Sequence, residues 1–229
     1  MSSPRPAWDF RRFWETLAYY ESIPFVSDFQ KMLFGSTAPP PPVPENNLVF
    51  DFSQPNFPLA ELWGALDDVV MGGVSQSQIE SHPQGARFHG QVSTANSGGF
   101  ASVRTRNFSP PLNLAEAPGL VLHLQGDGQR YKLILRDSSR WDSLGYAASF
   151  ATVRGEWMSI NIPFSELRPV LRAKTVPNAP PLDSGAIASF QLMLSKFEYD
   201  GQLNPSFKPG PFDLLLRSIA IAPGMPHGD

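Results

Sequence analysis

GLVLHLQGDGQRYKLILR, residues 119–136, holds two short apolar-rich runs, GLVLHLQ and RYKLILR, on either side of Gly126-Asp127-Gly128. Each run is about seven residues long and bounded by turn residues, which suits a strand and is too short for a typical helix. No helical pattern follows the Gly-Asp-Gly, so it reads as a turn between strands rather than a dinucleotide-binding loop. His123 shares a face with Val121 and Gln125 and reads as a partly exposed sheet residue.

The same texture continues in both directions. Phe50 and Phe52 alternate with Val49 and Asp51, Phe88, Gly90 and Val92 with polar neighbours, and Phe100, Ser102 and Arg104 with Ala101, Val103 and Thr105. GYAASFAT (145–152), EWMSINIP (156–163), SFQLMLS (189–195) and FDLLLRSIAIA (212–222) are further short runs bounded by Gly, Pro, Asn or Asp. About ten half-buried strands with almost no helix between them predict an antiparallel β-sandwich or barrel. No repeat of propeller or solenoid length is present.

The first 35 residues differ. They hold nine of the 27 aromatic side chains, and Phe10, Phe13, Trp14, Leu17 and Tyr20 fall near helical spacing between Pro6 and Pro24. A helix is expected over 7–21, and a second from Ser27 or Asp28 to Gly35. Pro39 to Pro42 and Pro44 then predict an extended spacer. The expected organisation is a helical head at 1–35, a Pro-rich linker at 36–46, a β-sandwich at 47–224 and a short tail at 225–229.

Composition narrows the chemistry. The 24 prolines among 229 residues are roughly twice the average usage of about 5%, which disfavours a helical bundle. No cysteine is present, so thiolate metal sites and disulfides do not arise. With 18 basic and 21 acidic side chains, no basic footprint for nucleic acid exists. Asp9, Arg11, Arg12 and Glu15 interrupt any apolar signal sequence, and the head is too acidic for a transit peptide, so a soluble protein of a reducing compartment is expected: cytoplasm, stroma or matrix. No metal site is expected, because His82, His89, His123 and His227 show no ligand spacing; no cofactor and no catalytic residue are expected either. Asp67 and Asp68 are adjacent, so in an extended chain they point to opposite faces and do not form an acid/base pair. Trp63, Tyr131, Trp141, Tyr146 and Trp157 could form a sugar-stacking platform or belong to the core; of Trp157 and Met158, one should be core and the other outward. RPVLRAKTVPNAPPLDSG (168–185) is too irregular for a helix and reads as a long surface loop, in which Arg168, Arg172 and Lys174 are either solvated or in contact with a partner or an anionic group.

Two segments carry more. WGALDDVVMGGVSQSQ (63–78) and FHGQVSTANSGGFASVRTR (88–106) each contain a Gly-Gly pair, which permits positive φ or a close backbone approach at a strand end. Together with GDGQRYKLILR (126–136), YAASFATVRGEWMSINIPFSEL (146–167) and the closing FDLLLRSIAIA, they resemble the signature of the CIA30 family, the complex I intermediate-associated protein 30 domain, over about 47–222. That resemblance implies a mostly β, galactose-binding-like jelly roll carrying a short N-terminal helical extension. It also implies a non-enzymatic assembly factor that binds subunits, intermediates or other assembly factors of a membrane electron-transfer complex, of the NADH dehydrogenase or photosystem type, and approaches the membrane through that partner. The alternative is a carbohydrate-binding module. By residue match, the expected binding surface is Trp63, Asp67, Asp68, Met71, Gly72, Gly73, Ser75, Asn96, Gly98, Gly99, Phe100 and Arg104, with Asp127, Arg130 and Tyr131. In the head, Trp8, Phe10, Phe13, Trp14 and Leu17 are the expected partner-docking face.

Overall fold

The computed structural model describes residues 39–42, 44–140 and 142–224. The head helices and docking face expected at 1–35, Trp141 and the tail lie outside the described residues. In chain order the elements are β1 (Leu48–Asp51), the single-turn α1 (Leu59–Leu62), β2 (Trp63–Ala65), β3 (Gln76–His82), β4 (Gly85–Val92), β5 (Phe100–Thr105), β6 (Gly119–Gln125), β7 (Arg130–Arg136), β8 (Gly145–Ala151), β9 (Trp157–Pro163), β10 (Arg168–Leu171), β11 (Lys174–Thr175), β12 (Ser189–Ser195) and β13 (Gly210–Ile221). A six-stranded sheet runs β3-β4-β13-β6-β9, with β1 also on β13, and a seven-stranded sheet runs β11-β10-β8-β7-β12-β5-β2.

Every strand pairing is antiparallel. Strand β13 serves two neighbours on one side: residues 210–216 pair with β4, and beyond a register shift near Arg217 the chain pairs with β1. The turn at 126–128 carries the chain from β6 in one sheet to β7 in the other.

Alternation builds the core. Leu120, Leu122 and Leu124 of β6 and Tyr131, Leu133 and Leu135 of β7 are all fully buried and join one cluster. Each such large side chain stabilises the fold by roughly 1.5–3 kcal/mol before ordering costs. Phe50, Phe52, Trp63 and Phe190 add an aromatic knot, with Phe50 edge-on to Trp63 at 5.5 Å and to Phe190 at 5.1 Å.

Two expectations are corrected. The centre of the seven-stranded sheet is buried on both faces, not half-buried: Ile134, Ala147 and Val170 pack outside it with Met193 and Tyr199. The cover is the 196–204 loop, which Lys132 pins by donating from Nζ to the carbonyls of Phe197 and Glu198. The predicted loop at 168–185 opens instead with the hairpin β10–β11, turned by Arg172 and Ala173 at φ 50° and 63°. Pro169 is tolerated there because β10 lies near the sheet edge.

Of the expected linker, Pro39 touches the body. Pro39 accepts a hydrogen bond from Ser109 N–H at 3.0 Å, just past the C-terminal end of β5.

Candidate functional site

The two Gly-Gly segments meet at one end of the sandwich, and two aspartates join them. After β2 the chain is extended at Asp67 and then makes one tight turn, Asp68–Met71, which Gly72 ends in the left-handed region at φ 88°. Asp68 is completely buried. Its Oδ1 accepts from Ser75 N–H at 2.9 Å, and its Oδ2 accepts from Ser75 Oγ at 2.7 Å and Gly99 N–H at 2.7 Å. A Cβ on Gly73 would stand 2.2 Å from Asp68 Cγ, and one on Gly98 2.4 Å from its Oδ2. Glycine is therefore required where backbone is pressed onto a carboxylate. Asp67 makes a second clasp: its Oδ2 accepts from Ser77 N–H at 2.8 Å, and its Oδ1 from Ser77 Oγ at 2.6 Å and Ser102 N–H at 3.1 Å. Buried carboxylates hydrogen-bonded this way hold three chain segments in one arrangement.

The expected surface is thereby redrawn. Trp63, Asp67, Asp68, Ser75 and Tyr131 are interior, and Gly73, Gly98 and Gly99 are packing positions, so none of these offers a partner a side-chain contact. Arg104 is nearly buried on the outer face of the seven-stranded sheet, where its Nε donates to Ser189 Oγ at 3.2 Å and its Nη2 to Asn107 Oδ1 at 2.6 Å. Beside it Arg136 donates from Nη1 to Gln191 Oε1 at 3.0 Å, and burial together with the Arg104 charge disfavours its ionised form. Asp127 accepts from Gln129 N–H at 3.0 Å and Asp213 N–H at 3.1 Å. Arg130 donates to Glu198 Oε1 at 2.8 Å. Asn96, at φ 53°, and Phe100 are half-buried at the clasped end, and Met71 stands out from it.

Three exposed apolar side chains at this end were not singled out by motif. Met71 is 69% exposed, and Val153 (45%), Phe197 (38%) and Leu203 (71%) lie on the neighbouring loops after β8 and β12. Apolar residues in stretches otherwise rich in Gly, Asn and Pro were the available signal. The sugar platform is not assembled: Trp63, Tyr131 and Tyr146 are core, while Trp157 faces out from β9, stacked on His123 at 5.1 Å. Met158 packs against the core.

Burial holds the Lys132 ammonium down to about 8. The unfolded chain then binds the extra proton between about pH 8 and the ordinary lysine value of about 10.4, so this residue's contribution to stability rises with pH in that window. Urea titrations at pH 8 and 9.5 should show wild type gaining on Lys132→Met; an unchanged difference would contradict the burial of this charge.

Among the described residues no group of three or more His, Asp or Glu could hold a metal ion, and no helix is long and apolar enough to cross a membrane.

Comparison with known proteins adds four findings. The family model described as Complex I intermediate-associated protein 30 (CIA30) matches residues 50–216. An uncharacterised protein of Schizosaccharomyces pombe is 32% identical over 188 residues, spanning 75% of this chain and 83% of that protein. The family 11 carbohydrate-binding module of the cellulosomal cellulase Lic26A-Cel5E of Clostridium thermocellum superposes with a TM-score of 0.52 at 17% identity, over 78% of this chain and 97% of that one. A second structure of that module, in complex with a β-1,3-1,4-mixed-linked tetrasaccharide, gives 0.50 at 17% identity, over 76% and 94%. At such identity the likeness is one of fold, a galactose-binding-like jelly roll.

Proposed function

This chain belongs to the CIA30 family, and on that premise we propose that it is a non-enzymatic assembly factor that binds a subunit or intermediate of a membrane electron-transfer complex. The observation that carries the proposal is the clasped end of the sandwich. Residues of the matched segment build a rigid support there, and Met71, Val153, Phe197 and Leu203 project from loops around it. Exposed apolar side chains on a pre-ordered frame suit protein binding, because little ordering entropy remains to be lost on contact. The saturation of Asp67 and Asp68 by hydrogen bonds supports a binding rather than a catalytic role for this end. Trp8, Phe10, Phe13, Trp14 and Leu17 of the aromatic-rich head are proposed as a second anchor, and the protein reaches the membrane through its partner.

The test is affinity purification of the full chain from its native source, beside a Met71→Asp/Leu203→Asp variant. Both positions are exposed, so stability should change by no more than about 0.5 kcal/mol per site. Subunits of one membrane complex should be enriched with wild type and depleted at least fivefold with the variant. Recovery of soluble metabolic enzymes alone, or equal capture by both proteins, would defeat the proposal.

Carbohydrate binding is a second proposal, favoured by a specific observation: Trp157 is a half-exposed aromatic on the outer sheet face beside Gln125, His123 and Ser159. The fold likeness to carbohydrate-binding modules is compatible with it.

A further inference from the structure

On the outer face of the six-stranded sheet, where β6 ends, the loops 126–128 and 153–155 overhang β13 and leave an open cleft of about 500 Å³. That volume falls in the range of small-molecule sites. We infer that this cleft is a binding site for a neutral saccharide, an inference that rests on the carbohydrate reading above and not on the assembly one.

Charge decides the class of ligand. Arg87 and Arg154 face the cleft together with Asp127 and Asp213, so the formal charges cancel. An anion would meet Asp213, and a cation would meet the two arginines. Asp127 is already committed to Gln129 and to Asp213 N–H and serves as wall.

The remaining groups are fixed yet still open. Arg87 grips Asp213 side-on, with Nη2 at 2.7 Å and Nε at 3.1 Å from Oδ2, while 39% and 46% of the two side chains stay exposed. Gln125 donates from Nε2 to the Gly155 carbonyl at 2.7 Å, which leaves Oε1 as an acceptor. Rigid donors and acceptors set side by side match hydroxyl groups, each of which donates and accepts at once. Leu215 supplies an apolar floor for a sugar's C–H face. Trp157, the cross-strand partner of Gln125, extends the apolar surface beyond the cleft. Because Arg87 and Asp213 hold each other and Gln125 is held by the Gly155 carbonyl, little side-chain freedom is lost when a ligand arrives.

The experiment is calorimetric titration of the full chain with the neutral β-1,3-1,4-mixed-linked tetrasaccharide, and with tetragalacturonate as a charged counterpart. Saturable binding of the neutral sugar is expected, weakened about tenfold or more by Gln125→Ala and by Asp213→Asn, a loss equivalent to about 1.4 kcal/mol. Both variants alter exposed or half-exposed side chains, and thermal melts verify that they fold. Absence of binding by the neutral tetrasaccharide overturns the inference together with the carbohydrate reading. Binding that both variants retain overturns the cleft alone, and uronate binding as tight as the neutral sugar overturns the charge argument.

Discussion

Asp68→Ala will destabilise the protein by about 4 kcal/mol. The substitution removes the acceptor of three backbone N–H groups, those of Ser75 at 2.9 Å and Gly99 at 2.7 Å and, more weakly, that of Phe100 at 3.3 Å. Each buried donor left without a partner costs about 1–3 kcal/mol. Ser75 Oγ is not counted, because it can turn to the Ser93 carbonyl at 3.3 Å. Asp68→Asn keeps the shape but sets an amide N–H₂ against these donors, so about half of the loss should remain. Urea denaturation measures the global cost, and hydrogen exchange at Gly99 N–H measures the local one. If Asp68→Ala unfolded within 1 kcal/mol of wild type, the clasp could not be what holds the two Gly-Gly segments together.

Trp63 gives the second large effect, and it separates packing from polarity. Trp63→Ala should cost about 3–5 kcal/mol, the range for deleting a large buried aromatic, since the ring lies among Phe50, Phe52 and the cluster around them. Its Nε1–H has no acceptor among the described residues. Trp63→Phe therefore loses volume but also relieves an unpaired donor, and it should fall within about 1.5 kcal/mol of wild type. Equal losses in the two variants would place the stabilisation in the indole N–H rather than in ring packing. A melt of Trp63→Ala also bears on function, because the clasped end of the body lies at the other end of β2 from this ring.

Strands 119–125 and 130–136 were legible as short apolar runs between turn residues; in 119–125 one face meets the core and the other does not, whereas 130–136 carries the continuous Leu133-Ile134-Leu135 because both of its faces are covered. Gln76–His82 was not legible, although it forms the seven-residue β3. QSQIESH is polar almost throughout, since an edge strand buries little; its pairing is supplied by β4 and only Ile79 packs inward. The Gly-Gly pairs announced close approach, and Gly73 against Asp68 is that approach. What the motif could not announce was its direction. Residues that look like a surface by position, Asp67 and Asp68 above all, turn inward because three separated backbone segments need their oxygens. The cleft had no sequence signal, since Arg87 and Asp213 stand 126 residues apart and meet only through the register of β4 with β13.

The bond from Ser109 N–H to Pro39 fixes where the linker joins the body. Strand β5 begins at the clasped end and finishes beside that junction, and its six residues span roughly 20 Å at about 3.3 Å each. Pro39 thus sits at one pole while the exposed loop side chains occupy the other. A client touching both would be held bivalently, with the second contact formed at high effective concentration once the first is made. Affinity would then fall off steeply for any fragment of the client too short to bridge the two poles, so the body would act as a ruler as well as a grip.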